Sequence, residues 1–289
     1  MCVRWVVRCE VKPSPHRAAM HARATSTTPY AALVSTGVAY PTSAHERAAA
    51  AITEYFAGRD ETDAVLLVNS CARGKATADS CLDMQVIVPP DVVEHVDADF
   101  RRFAAESDAV TALLAAGRFS DLHLDVIDGD LEPGPIDDEG IDWFEVSIGN
   151  LFVYSAPLFI RGERLERLRR PWLPYYDEAL RLERLQAARW FVLDNNLVRI
   201  PWFLDRELYF QAFDRFYRAF QGFLLGLHIS RRVYPIAYNK WIREQIVENL
   251  GLPQLYTHLP KLFELDPFES RALEAKAQDL HDLVDEWVT

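Results

Sequence analysis

The chain has 289 residues, 49% of them hydrophobic and 26% charged, and a formal net charge of −12. That length can bury a large core, as one large domain or two modest ones. The acidic balance argues against nonspecific nucleic-acid binding through a broadly basic surface, and leaves room for a local basic pocket. No apolar run approaches the roughly 20 residues that cross a bilayer.

Residues 1–28 carry Arg4, Arg8, Lys12, Arg17 and Arg23 against one acid, Glu10. They read as a flexible tail, with Met20 as an alternative start, because the apolar run at residues 3–7 is short and broken by Arg4. Cys2, Cys9, Cys71 and Cys81 form no Cys-x-x-Cys pair, which points to free thiols in a reducing cytoplasm. Residues 44–59 have helical spacing, with Ser43 as N-cap and Gly58 near the end. An apolar run at 64–68 reads as a buried strand. A small, polar turn at 69–74 follows, and a second strand runs to Val88, where Pro89-Pro90 stops it. Residues 91–116 read as one or two helices ending at Gly117. In the strand at 121–127, Leu122, Leu124 and Val126 fall on one face and Asp121, His123 and Asp125 on the other.

An acidic loop at 129–140 leads to a further strand expected at 143–148, carrying Glu145. From Tyr175 onward the pattern is helical: 175–198 closed by Pro201, then 204–229 rich in aromatics, then a helix after Pro235 through Leu250 that holds Lys240. Two more follow at 253–263 and 267–287. The predicted organisation is α+β: a tail at 1–28, a head of mixed sheet and flanking helices at 29–160, and an all-α bundle at 161–289.

The segment between the first two strands carries the chemistry. Ser70, Gly74, Ser80 and Asp83 stand at the spacing Ser-x-x-x-Gly, five residues, Ser-x-x-Asp. A small residue and Ser after a strand let backbone N–H groups and a hydroxyl approach phosphates, and the forked donors of Arg73 suit the same anion. This spacing resembles the signature of the DNA polymerase β-like nucleotidyltransferase superfamily, with Asn69 where the first Gly is usual and Cys81 where the first Asp is usual. The helical half resembles the C-terminal part of small-molecule and antibiotic nucleotidyltransferases through Arg231-Arg232-Val233-Tyr234-Pro235 and Lys240-Trp241.

The resemblance implies a fold of that type and transfer of a nucleoside monophosphate from a triphosphate, ATP first among them, to a hydroxyl of a small-molecule acceptor. Ser70, Arg73, Gly74 and Lys240 would bind the nucleotide, Asp83 and Asp125 would hold Mg²⁺, and Glu145 would serve as general base. Cys81 leaves the usual three-carboxylate set one short, since a thiol is a poor Mg²⁺ ligand; Asp79, or a softer ion such as Zn²⁺ or Mn²⁺, are the alternatives. Two other readings stay open: a catalytically degenerate nucleotide-binding or sensor protein, and an antitoxin-like protein with a separate partner chain. The helical half lacks the Arg-to-His spacing of the toxins paired with small nucleotidyltransferases, which disfavours a fused toxin.

Overall fold

The computed structural model describes residues 38–289, so the segment 1–28 and its cysteines lie outside the described residues. Within them the chain is α+β, with eleven α-helices and one four-stranded mixed sheet of order β3-β2-β1-β4. Helix α1 (Ser43–Ala57) is capped by Thr42 rather than Ser43, the Thr42 hydroxyl accepting from the His45 N–H. The buried His45 ring accepts from that hydroxyl on one nitrogen and donates to the Ser80 carbonyl on the other, at 2.8 and 2.9 Å. It thereby ties the start of the helix to the loop before the second strand.

Strand β2 (Leu82–Ile87) is central, antiparallel to β1 (Ala64–Leu67) and parallel to β3 (Leu122–Ile127). Its register sets Asp83 beside His123 and Gln85 beside Asp125. Alternation then sorts the side chains onto two faces. Val65, Leu67, Leu82, Met84, Val86 and Val126 pack under α1, α3 (Val93–Glu106) and α4 (Asp108–Leu114), with Leu122 and Leu124 beside them. On the other face Ala64, Leu66 and Ile87 join a second core with Phe144, Ile148, Phe152, Leu165, Tyr176 and Tyr234. That core ends at Ile87 and Ile127; at the opposite end the same face carries Asp83 and His123.

The strand expected at 143–148 is instead helix α5 (Phe144–Ile148). Phe144, Glu145, Val146 and Ile148 are all buried, and a helix divides them between two cores. Phe144 and Ile148, four apart, serve the sheet, while Val146 joins the helical core. A π-helical turn, Gly149–Val153, continues it into β4 (Ala156–Ile160), an edge strand absent from the sequence reading. Pro157 hides that strand from propensity arguments. It is tolerated because it sits on an edge, at a shift of register against Val65 and Leu66.

After α6 (Arg164–Arg169) come the long helices α7 (Glu178–Trp190), α9 (Tyr209–Arg231) and α11 (Ala272–Trp287), with the shorter α8 (Ile200–Leu204) and α10 (Pro253–His258) between them. Phe216, Phe220 and Phe223 of α9 are core, as their helical spacing implies. The helix expected between Pro235 and Leu250 is mostly not one. Residues 232–241 form a loop, followed by a short helical turn that runs into a π-helical turn, Glu244–Asn249, so Lys240 sits in the loop. No helix among the described residues is long and apolar enough to cross a membrane.

Candidate functional site

Where the open end of the sheet meets the loop of the helical half there is a cavity of about 370 Å³. Asn69, Ser70, Arg73 and Asp83 line it from the sheet side, and Ile236, Lys240 and Trp241 from the loop. The first wall follows from the turn after β1. Val68 donates to the Asp83 carbonyl at 3.0 Å, Asn69 takes φ 56°, and one helical turn, α2 (Asn69–Ala72), sets Ser70 and Arg73 side by side. Gly74 ends that turn at φ 68°, a conformation a side chain would strain, with Lys75 N–H bonded back to the Ser70 carbonyl at 2.9 Å.

The second wall is pinned by one buried side chain. Gln245 accepts from the Ile236 and Ala237 N–H groups at 2.7 and 3.3 Å and donates to the Ala237 and Lys240 carbonyls at 2.8 and 3.0 Å. The loop therefore has its backbone bonds satisfied without regular structure, and it holds Lys240 and Trp241 toward the sheet.

Arg73 joins the two walls. Its Nε donates to Glu244 Oε1 at 2.9 Å, and its guanidinium lies 5.2 Å from the centre of the Trp241 ring. Both partners of this ion pair are more than nine-tenths buried. The pairing is monodentate, so Nη1 and Nη2 of Arg73 and Oε2 of Glu244 are buried without a hydrogen-bond partner. A buried polar group left unpaired costs about 1–3 kcal/mol. Lys75 and Glu248 make a parallel, largely exposed bridge at 2.8 Å, which contributes at most about 1 kcal/mol. Backbone strain gathers here too. Of the four non-glycine residues with positive φ among the described residues, Asn69 and Trp241 border the cavity, Trp241 at φ 60°. Asn accepts that region readily, whereas a bulky aromatic does so only when its surroundings hold it there.

Asp83 is hydrogen-bonded to His123 Nδ1 at 3.0 Å, and that bond raises the His123 pKa above its ordinary value. Asp125 lies two residues further along β3, exposed beside Gln85 and outside the cavity lining. Cys81 precedes β2; burial, then the Asp83 and Asp121 charges, push its thiol up, so it stays protonated at neutral pH. Cys71 is fully buried and its pKa is pushed up to about 12. Among the described residues no three His, Cys, Asp or Glu side chains converge so as to hold a metal ion.

Glu145 does not line the cavity. It is fully buried in α5, where its oxygens accept from Arg184 Nε and Nη2, both at 2.8 Å, and from the Tyr176 hydroxyl at 3.1 Å. Both oxygens are engaged by these donors and the side chain is unexposed. No family model matches this chain, and no curated protein does.

Four residues singled out from sequence thus line one cavity: Ser70, Arg73, Asp83 and Lys240. Trp241 belongs to the Lys240-Trp241 pair of the resemblance, but nothing in the sequence marks Glu244 or Gln245. Both read there as ordinary polar positions of an amphipathic helix.

Proposed function

We propose that this cavity binds a nucleoside triphosphate and that the chain is a nucleotidyltransferase of the polymerase β-like kind, passing a nucleoside monophosphate to a hydroxyl of a small-molecule acceptor. The observation that carries the reading is the Arg73 fork, with two unpaired Nη atoms, in one cavity wall with Ser70 and opposite Lys240. Planar forks of this kind take phosphate oxygens two at a time. Three phosphate-binding side chains from two distant stretches, with one carboxylate beside them, suit a polyphosphate better than a neutral ligand.

The donor set fits one hydrated Mg²⁺ better than a two-metal cluster, because Mg²⁺ is commonly held by one or two carboxylates and the substrate's phosphates. Asp83 would hold it, with Asp125 two residues beyond His123 on that face of the sheet. Bound there, the ion would neutralise phosphate charge. The chain's own part is to orient: Ser70, Arg73 and Lys240 would fix the phosphates.

A binding-only descendant is the second reading, favoured by the Cys81 thiol beside Asp83 and by the sequestered Glu145. Thermal-shift and calorimetric titration with ATP, GTP, CTP and UTP, each with and without Mg²⁺, tests both readings. A magnesium-dependent rise in melting temperature is expected with at least one triphosphate. Arg73→Gln should weaken that binding by about 10- to 100-fold, the value of one charge-assisted pair. Silence from all four triphosphates sinks both readings. Asp83→Asn should abolish pyrophosphate release in an enzyme, and Cys81→Asp should tighten binding in a degenerate one.

A further inference from the structure

The Arg73 fork is both unpaired and covered. Its side chain is 7% exposed, Nη1 and Nη2 have no partner, and the Trp241 ring lies against the guanidinium. Both Nη atoms are buried in this conformation, and Trp241 is the cavity-lining side chain that lies against them. Trp241 itself is held at φ 60°, its carbonyl accepting from the Gln245 N–H at 3.0 Å, so its backbone is fixed and any movement is of the side chain.

We propose that Trp241 is a gate over a phosphate subsite on Arg73: a polyphosphate draws the ring off the guanidinium and takes the two Nη donors, while Glu244 keeps Nε and so holds the fork in place. This rests on reading the cavity as a polyphosphate site. Three features carry it. The ion pair is built so that Glu244 satisfies Nε and leaves both Nη groups, which an incoming oxyanion can take. The covering ring is only part-buried and sits on a backbone fixed at φ 60°, so it can swing about its own side-chain torsions while the loop stays in place. The cation–π contact that would be broken is replaced by a stronger, charge-assisted bond to the same guanidinium. The ligand's grip is then reduced by the fraction of molecules in which the ring covers the fork.

The test uses the full chain with inorganic tripolyphosphate and Mg²⁺ as the probe, followed by calorimetry and by tryptophan fluorescence. Three proteins are compared: wild type, Trp241→Phe, which keeps a ring and removes the reporter, and Trp241→Gly, which removes the ring and suits the positive φ. Wild type should bind with a fluorescence change that Trp241→Phe lacks although it still binds. Trp241→Gly should bind several-fold tighter, with a melting temperature no lower than wild type. Binding by wild type with the same fluorescence change in Trp241→Phe, or weaker binding by a folded Trp241→Gly, overturns the gate and leaves the triphosphate reading standing. Binding by Trp241→Gly alone supports the gate. If neither wild type nor Trp241→Gly binds tripolyphosphate, the subsite and its gate both fall; the four nucleotide titrations then decide separately whether the cavity binds nucleotide by other contacts. Should Trp241→Gly fail to fold, Trp241→Leu takes its place with the same expected tightening.

Discussion

His228 lies wholly buried on α9, where its Nδ1–H donates to the Leu224 carbonyl at 2.8 Å, and burial lowers its pKa to about 4. The unfolded chain protonates the ring near pH 6.5 while the folded chain resists, so stability falls as pH drops through that window. Between pH 7.5 and 5.5 the cost is about 1.4 kcal/mol for this one group. His123 has the opposite sign: its pKa is raised by Asp83, so its contribution is present at low pH and lost as pH rises through the raised value. Comparison with His228→Leu separates the two. Urea midpoints should show wild type losing about 1.4 kcal/mol more than the variant over that range; equal slopes would mean that the ring is not held neutral. Gln245 invites a second measurement at this scale. Gln245→Ala strips four bonds from the loop that presents Lys240 and Trp241. It should lower stability by about 1–3 kcal/mol and weaken nucleotide binding, although Gln245 does not line the cavity.

Helix α5 shows where sequence pattern and structure part. Residues 143–148 alternate in a way that suits a strand, and nothing local says that two different cores will claim them. The Glu145–Arg184 pair compounds the difficulty, because a charged residue in a short apolar run reads as solvent-facing and here is fully buried. Breaking that pair tests it. Arg184→Met leaves the Glu145 carboxylate buried with the Tyr176 hydroxyl alone and should cost about 3–5 kcal/mol in chemical denaturation. Adding Glu145→Met should recover much of the loss, since Asp142, the other acid on Arg184, keeps some access to water. Strand β1 was legible as a short continuous apolar run, and β2 and β3 because their apolar residues recur at a period of two. Edge strand β4 was not, because Pro157 masks it. The cavity's first wall was legible because it is one continuous stretch with fixed spacing. Its second wall was not, because a loop shaped by one glutamine's hydrogen bonds has no periodicity to read.

The expected division near residue 160 meets a core that both sides share: Leu165, Tyr176 and Tyr234 pack with Ala64, Leu66 and Phe152. The Tyr234 hydroxyl donates to the Trp172 carbonyl at 2.6 Å, and the Tyr154 hydroxyl donates to the Tyr234 carbonyl at 2.5 Å. Gly149 sits at this seam, where an added Cβ would lie 2.5 Å from the Pro235 carbonyl oxygen. Gly149→Ala should therefore cost about 1–3 kcal/mol, and calorimetry on wild type should show one transition, not two. The Arg73–Glu244 and Lys75–Glu248 bridges span 171 and 173 residues of chain. Contacts that distant are made only after the entropy of closing a long loop has been met, which places the cavity among the last features to form. A ligand held there grips the finished molecule and not the state at the top of the folding barrier. In stopped-flow experiments Mg²⁺ with ATP should slow unfolding and leave the refolding rate unchanged. A chain emerging from the ribosome would present the cavity's first wall long before its second, so under the proposed function a filled cavity would report that synthesis and folding are complete.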